Sequence, residues 1–324
     1  MMHWAGGTPM TYLYGFGAKA YPVVWLTWAL LGLSIFVCLI FAILVPWGVM
    51  ARKSRSVFGA ITTEPVSRGP HAVHWITIGV ALTVVALTAS VVGTVAVLAK
   101  VSHPGAGRPL TIEVTGEQWW WKVRYDSDSP DQMFWTANEI HIPVGRPVRV
   151  KLMSSDVIHS FWFPALTGKT DAIPGQTNVT WLEADQAGRY RGQCTEYCGL
   201  QHAHMAMELV ADPPARFEAW RQGQLRNAAE PATPQAMHGQ AILVKSCGAC
   251  HTVRGTLAGG TTAPDLTHVM SRRTIAAGVL PTTSAGLSAW IANPQAVKPG
   301  TKMPTLYLSG PELTDLRTYM ETLR

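Results

Sequence analysis

The chain has 324 residues and a formal net charge of +6, but only 14% of its residues are charged. Its mean hydropathy is positive, and no basic run is interleaved with aromatic residues, so the composition favours a membrane partner and excludes a nucleic-acid-binding protein. The length suits two or three domains. The five cysteines fall into two close pairs and one single residue, which is typical of cofactor sites rather than of a disulfide framework.

Two long segments near the N-terminus, residues 21–50 and 71–99, contain no charged side chain. Each is long enough to cross about 30 Å of hydrocarbon as a helix, so we predict transmembrane helices at about 22–50 and 72–99. The loop at 51–70 carries four basic residues and one acidic residue. This excess predicts that the loop is cytoplasmic and that both termini are extracytoplasmic. The first residues lack a basic run and a cleavage site, so no cleaved signal peptide is expected.

The remainder of the chain changes its pattern twice. Residues 108–212 read as short strands in which apolar residues alternate, which predicts an antiparallel β-sandwich or Greek-key β-barrel. Residues 213–235, rich in alanine, arginine, proline and glutamine, are expected to form a linker. Residues 236–324 read as short helices and loops. Residues 1–107 would then hold the N-terminal segment and both membrane helices.

A cluster of soft metal ligands lies at residues 193–205, which read QCTEYCGLQHAHM. Thiolate and thioether groups select copper, and imidazole suits copper as well. A disulfide between Cys194 and Cys198 is the simpler alternative, but it leaves the spacing of the following histidine and methionine unexplained. A second histidine has to come from elsewhere, and His159 in SSDVIHSFWFP is the best candidate.

A second cofactor motif, C-x-x-C-H, runs from Cys247 to His251. It is the attachment pattern of c-type haem, in which both cysteines form thioethers and the histidine binds the iron. The same short pattern also occurs in zinc and redox sites, but no βαβ unit surrounds it here, which argues against a thioredoxin. A methionine is expected as the second axial ligand, and the methionines available downstream are Met270, Met303 and Met320.

The pattern C-x-E-x-C-G-x-x-H-x-x-M, preceded by D-V-I-H-S-F-W, resembles subunit II of cytochrome c oxidase and its binuclear copper centre, CuA. The resemblance implies two coppers bridged by two thiolates, one histidine on each copper, and weak axial ligands from a methionine and from the carbonyl of Glu196. The implied ligand set is His159, Cys194, Glu196, Cys198, His202 and Met205. In this family the carboxylate at the position of Glu196 also helps to bind magnesium against subunit I.

The resemblance extends to the aromatic run and to the C-terminal domain. In GEQWWWKVRY, Trp119 matches the family's residue through which electrons enter, and we expect an exposed indole there, whereas Trp120 is expected only to pack. Met303 in GTKMPT resembles the axial methionine of cytochromes c. The implied haem ligands are therefore Cys247, Cys250, His251 and Met303.

Together these features predict a multidomain membrane protein with a two-helix transmembrane hairpin, a cupredoxin-like Greek-key β-barrel domain and an all-α cytochrome c domain. The resemblance implies that it accepts electrons from a cytochrome c-type donor through its haem c and CuA. It would pass them to subunit I, in a complex that also holds subunit III, for reduction of oxygen to water with proton translocation. The location implied is the bacterial-type cytoplasmic (inner) membrane, with the soluble domains on the periplasmic side.

One departure from the family concerns the start of the second membrane helix. Family members carry a carboxylate there, at the mouth of a proton pathway, but PHAVHWITIG contains His71 and His74 and no acidic residue. This keeps two alternatives open. The chain could be the electron-input subunit of a CuA-containing nitric oxide reductase, or a membrane-tethered electron carrier without an oxidase partner.

Overall fold

The computed structural model describes residues 10–54, 72–103 and 109–324. Residues 55–70, which hold most of the positively charged loop, and residue 71 lie outside the described residues, as does the predicted boundary at 107/108. The chain divides into two compact units. One contains the two long helices within Tyr21–His103, and the other contains the chain up to Ala20 and all residues from 109 onward.

The two N-terminal helices are α1 (Ala20–Ser54) and α2 (Ala72–Val101), which confirms the prediction of two apolar helices. Each contains a stretch long and apolar enough to cross a membrane. Their large apolar side chains are exposed along nearly the whole length, as expected of helices whose solvent is lipid. Hydroxyl groups within α1 bond to their own helix: Thr27 donates to the carbonyl of Val23 at 2.8 Å and Ser34 to that of Leu30 at 2.9 Å. These bonds satisfy polar groups where water is absent.

The segment from residue 110 to residue 212 forms a β-sandwich. Its strands are β1 (Leu110–Glu117), β2 (Trp120–Tyr125), β3 (Phe134–Ala137), β4 (Glu139–Pro143), β5 (Val148–Ser154), β6 (His159–Phe161), β7 (Thr170–Ala172), β8 (Asn178–Leu182), β9 (Gly188–Gln193) and β10 (Ala206–Asp212). The larger sheet has the order β3-β2-β1-β5-β8, the smaller has the order β4-β10-β9, and β6 pairs with β7. Alternate residues of β1 and β2 are buried between the sheets, so the predicted sandwich is confirmed.

The prediction of a purely antiparallel sandwich was wrong. Strand β1 pairs with β5 in parallel, and β4 pairs with β10 in parallel, while the other pairs are antiparallel. After the antiparallel run β1 to β3, the chain crosses to the other sheet for β4 and returns for β5. Sequence neighbours therefore lie in different sheets, and the returning strand runs alongside β1 in the same direction. Alternation of apolar residues is the same for both directions, so it could not distinguish them.

The first half of the predicted linker is a helix, α3 (Pro214–Gln224). Phe217 is buried against the sandwich core, and Trp220 stacks on His141 with ring centroids 4.1 Å apart. This half of the linker is therefore packed structure.

The C-terminal region is helical and contains α4 (Pro234–Ser246), α5 (Ser284–Ala292), α6 (Pro294–Val297) and α7 (Gly310–Met320). A two-residue ladder, β11 (Thr274–Ile275) with β12 (Leu280–Pro281), and an isolated bridge between Thr252 and Gly259 depart from an all-α description of this region. Helices α4 and α7 cross closely at Gly239, where an added Cβ would overlap the carbonyl of Asp315. Ser309 and Glu312 form a capping box at the start of α7.

Candidate copper centre and haem pocket

The loop between β9 and β10 carries the predicted copper ligands and is closed by backbone hydrogen bonds. The amide of Cys194 donates to the carbonyl of Met205 at 3.0 Å, and the amide of Thr195 donates to that of Ser160 at 3.1 Å. Gly199 has a φ of 112°, a conformation that favours glycine. Hydrogen bonds therefore join the two ends of the loop to each other and its first residues to β6.

The two cysteine thiols lie side by side but are not bonded. Their Sγ atoms are 3.8 Å apart, far beyond the roughly 2.05 Å of a disulfide. Each sulfur faces its own imidazole: Cys194 Sγ is 3.9 Å from Nδ1 of His159, and Cys198 Sγ is 3.6 Å from Nδ1 of His202. The structure therefore has two free thiols here, each beside an imidazole, rather than a disulfide.

Two weaker donors complete the set. Met205 Sδ lies 3.8 Å from the sulfur of Cys198, and the carbonyl oxygen of Glu196 lies 3.3 Å from that of Cys194. The structure thus brings together all six residues predicted for the copper centre. The side-chain carboxylate of Glu196, predicted to help bind magnesium, belongs to an exposed residue.

The imidazole of His159 is oriented by a hydrogen bond on the side away from the thiols. Its Nε2 donates to Oδ1 of Asp156 at 2.8 Å, which leaves the Nδ1 lone pair facing the thiols and fixes the tautomer. Gly116 of β1 provides the space for this ring, because an added Cβ would lie 2.6 Å from its Cδ2 atom. The position of His159 therefore depends on both a carboxylate and a missing side chain.

The thiol pair has the electrostatics of a ligand site. The hydrogen bond from Cys198 outweighs burial and, with His159, lowers the pKa of Cys194 to about 4. The pKa of Cys198 is raised because it bonds the neighbouring thiolate and because it is buried. For His159, hydrogen bonds to Cys194 and Asp156 overcome burial and raise the pKa. Soft sulfur donors on a rigid frame fit copper.

Trp119 does not have the exposed indole that we predicted. It is only 8% exposed, and its Nε1 donates to the carbonyl of Cys198 at 2.9 Å. The helical C-terminal region covers the ring, since an added Cβ at Gly300 would lie 3.5 Å from it. Trp120, which we expected only to pack, is half-buried and faces the cavity described next.

A cavity of about 320 Å³ lies in the C-terminal region and brings together the four predicted haem ligands. Its apolar lining suits a porphyrin: Leu266, Leu287, Ile291, Leu316 and Met320. The sandwich contributes part of the wall through Gln118, Trp120 and Asn138. The predicted ligands on this lining are Cys247, Cys250, His251 and Met303.

The two predicted axial ligands are each positioned by a hydrogen bond. Nδ1 of His251 lies 2.7 Å from the carbonyl of Pro264, and a proton donated there leaves Nε2 available to a metal. Burial lowers the pKa of His251, which favours the neutral form that binds iron. Gln295 Nε2 donates to the carbonyl of Met303 at 2.9 Å and anchors that loop. The residues therefore fit a haem.

Three residues near these sites escaped the sequence reasoning. Gln118 lines the cavity and donates through Nε2 to the carbonyl of Cys198 at 2.8 Å. Arg272 is buried at the cavity wall, where it could meet a porphyrin carboxylate. Lys298 is a buried lysine between the two folded regions. Each is a single polar residue in an irregular segment, and nothing local in the sequence signals its contacts.

Comparison with known proteins gives matches over both regions. Residues 127–211 match the family model of the cytochrome c oxidase subunit II periplasmic domain, and residues 236–324 match that of cytochrome c. Cytochrome c oxidase subunit 2 of Alkalihalophilus pseudofirmus is 36% identical over 255 residues, which are 78% of this chain and 72% of that protein. The subunit 2 of Bacillus sp. is 35% identical over 228 residues, covering 66% and 62%.

Among solved structures, the periplasmic domain of subunit II of the cytochrome oxidase of Bradyrhizobium japonicum is similar. It is 34% identical, with a TM-score of 0.34, over 37% of this chain and 95% of that chain.

Proposed function

The chain belongs to the cytochrome c oxidase subunit II family, and we propose that it is the electron-input subunit of a membrane-anchored haem–copper terminal oxidase. One observation carries this proposal: neighbouring thiol, imidazole, thioether and carbonyl donors and an apolar cavity with a C-x-x-C-H motif lie in the same compact unit. A copper-handling protein would need the first but not the second.

The copper loop is proposed to hold a binuclear CuA centre. Cys194 and Cys198 would bridge two coppers, with His159 and His202 as terminal ligands, and with Met205 and the carbonyl of Glu196 as weak ones. The sandwich contributes rigidity, because backbone hydrogen bonds join Cys194 to Met205 and Thr195 to Ser160 of β6. The carboxylate of Glu196 would reach magnesium at the surface of subunit I.

The cavity is proposed to hold one covalent haem c. Cys247 and Cys250 would form the thioether bonds, and His251 and Met303 would be the axial ligands. The leucine and isoleucine lining excludes water, which raises the reduction potential of a haem iron. When bound, both groups carry one electron at a time. This chain's residues hold them in place.

The partners follow from the family. Subunit I is the partner that the family implies, and we propose that oxygen is reduced to water there, with proton translocation. Subunit III and an external cytochrome c-type donor are the further proposed partners. The excess of positive charge at residues 51–70 supports a cytoplasmic loop. The sandwich and residues 236–324, the cytochrome region, would then be periplasmic.

The test is made on the complex purified from membranes. Metal and haem analysis should give two coppers and one covalent haem for each chain, with a mixed-valence copper signal in electron paramagnetic resonance. Turnover is then measured with oxygen and with nitric oxide. Oxygen consumption supports the oxidase, whereas nitric oxide turnover with negligible oxygen use moves the chain to the reductase alternative. A complex without the copper signal would overturn the proposed copper centre.

A further inference from the structure

Lys298 follows α6, and its side chain lies at the boundary between the C-terminal region and the sandwich. It is 2% exposed, and its Nζ donates to three backbone carbonyls: that of Trp119 at 2.6 Å, that of His204 at 2.8 Å and that of Ala276 at 3.1 Å. An ammonium group has three donors, so every one of its protons has an acceptor.

The acceptors come from three separate parts of the chain. Trp119 donates its indole proton to the carbonyl of Cys198, and His204 belongs to the proposed copper loop, one residue before Met205. The third, Ala276, belongs to the cytochrome region and has a left-handed φ of 54°. A single side chain thus joins Trp119 and the copper loop to the turn between β11 and β12.

Neighbouring contacts surround this lysine. The amide of Ala206 donates to the carbonyl of Ala277 at 3.1 Å, and Gln201 Nε2 donates to that of Pro299 at 2.8 Å. Lys302 forms an ion pair with Asp156 at 3.2 Å, but its side chain is 66% exposed. An exposed pair of this kind contributes little, whereas the buried ammonium makes charge-assisted bonds.

Burying the ammonium group of Lys298 has an electrostatic cost. Burial lowers its pKa to about 7, which reflects the cost of taking an ammonium group out of water, and the three carbonyl oxygens offset that cost. A lysine serving only to pack would be replaced by an apolar residue without this cost.

We propose that Lys298 is a positioning residue that latches the cytochrome region onto Trp119 and the copper loop, so that the cytochrome region is a fixed part of the subunit rather than a domain swinging on its linker. This inference rests on the proposed function. It also implies that an external donor meets the cytochrome region, because the latched segment covers Trp119.

The variant that tests the latch is Lys298→Met in the full-length chain within the purified complex. Methionine keeps most of the volume but donates no hydrogen bond. Lys122→Met is the matched control, since it removes an exposed lysine hydrogen bond across the same boundary, from Nζ to the carbonyl of Thr261 at 2.8 Å, away from the proposed ligands. Amide hydrogen exchange is measured over 199–206 and 274–280, and haem-to-copper electron transfer is measured after photoreduction, with and without added glycerol.

In Lys298→Met we expect exchange in both segments to rise roughly ten- to a hundredfold, since charge-assisted hydrogen bonds are lost. Electron transfer should slow about tenfold or more and become dependent on viscosity, because docking would then limit it. Lys122→Met should stay within about twofold of the wild type in both measurements, because an exposed polar contact contributes little. A merely structural lysine would change exchange without making the transfer viscosity-dependent. Wild-type exchange and transfer in Lys298→Met would overturn the latch.

A second measurement needs no variant and so covers the case in which Lys298→Met fails to assemble. In the wild type, the amide of Ala206 should exchange about tenfold or more slowly than an open loop amide, and electron transfer should not depend on viscosity. Rapid exchange at Ala206 or viscosity-dependent transfer in the wild type would also overturn the latch. Hydrogen exchange does not depend on the terminal acceptor, so failure of the oxidase assignment leaves this result readable.

Discussion

The copper loop and the haem pocket differ in what the chain itself supplies. In the copper loop, donor atoms from six residues stand within contact distance on a frame of backbone hydrogen bonds. In the cytochrome region, the ligands line a cavity of about 320 Å³ surrounded by core residues. The first site is held together by the chain's own contacts, whereas the second is a cavity that the proposed haem would fill. The same chain therefore contains one site that should survive loss of its cofactor and one that should not.

The largest expected effect comes from preventing cofactor attachment in each region. The double variant Cys247→Ser, Cys250→Ser should destabilise the cytochrome region by about 5 kcal/mol or more, comparable with the whole stability of a small domain. The double variant Cys194→Ser, Cys198→Ser should abolish the copper signal yet change the stability of the sandwich by less than about 2 kcal/mol.

Hydrogen exchange resolved along the chain measures both effects in one experiment, with Cys38→Ser as the control for thiol removal outside either site. Equal loss of protection in both regions would contradict the contrast between a preorganised and a cofactor-dependent site.

A smaller effect is expected where the cytochrome region depends on its own helices. In Gly239→Ala the new methyl group would overlap the carbonyl of Asp315, so α4 and α7 must separate, at a cost of about 3 kcal/mol. Gly223→Ala in α3 is the control, because a Cβ there meets nothing within 4 Å and should stabilise the helix by up to about 1 kcal/mol. Thermal unfolding followed at the haem absorption band measures the first variant, and a midpoint equal to that of the wild type would show that the crossing adapts.

The corresponding test of the copper loop is Gly116→Ala. The added Cβ would lie 2.6 Å from the ring of His159, and the ring cannot retreat without breaking its bond to Asp156. We expect copper affinity to fall about ten- to a hundredfold while the sandwich stays folded. Gly168→Ala, where a Cβ meets nothing within 4 Å, should bind copper as the wild type does. Affinity is measured by competition with a chelator, and unchanged affinity in Gly116→Ala would mean that the loop is less rigid than proposed.

Spacing in the sequence predicted the ligands of both sites but not the cover over Trp119. The copper ligands from Cys194 to Met205 lie in one loop, so spacing alone indicated that their donor atoms could converge. The cytochrome motif was equally local. The exposure of Trp119 was wrong because the residues that cover it lie near Lys298, on the other side of the linker. No local pattern encodes a contact at that separation.

The fold shows the same limit. Alternation in 139–152 predicted β4 and β5 but could not give the parallel pairing of β5 with β1. The two-residue strands β11 and β12 are too short to have any periodicity, yet they present the carbonyl of Ala276 to Lys298. Long-range partners, rather than the elements themselves, are what the sequence did not reveal.

The smallest expected effect is a pH dependence of the stability of the sandwich that the cytochrome region does not share. His141 is buried, with Nδ1 2.7 Å from Oδ2 of Asp212 and Nε2 3.2 Å from Oε1 of Glu139. Burial opposes the charge of His141, but the hydrogen bonds to both carboxylates outweigh it and raise the pKa. Burial likewise opposes the charge of Glu139, yet His141, Arg272 and Arg189 lower its pKa.

Because the pKa of His141 is raised, its charged form stabilises the fold. This stabilisation is complete below the unfolded pKa of about 6.5 and is lost as pH rises through the folded pKa. The lowered pKa of Glu139 stabilises the fold above about 4.3 and is lost as pH falls through its folded value. Both contributions are therefore present between about pH 4.5 and 6.5. His141→Gln should lower the free energy of unfolding by about 1–2 kcal/mol more at pH 5.5 than at pH 9.5.

The matched control is His238→Gln, which removes a 60% exposed histidine paired with Asp315 in the cytochrome region and should change little at either pH. Protection of the β4 and β10 amides is measured at both pH values, after correction for the intrinsic exchange rate. A cost in His141→Gln that is the same at pH 5.5 and 9.5 would mean that His141 stabilises the sandwich by packing on Trp220 alone, and that the charge between the two carboxylates contributes nothing.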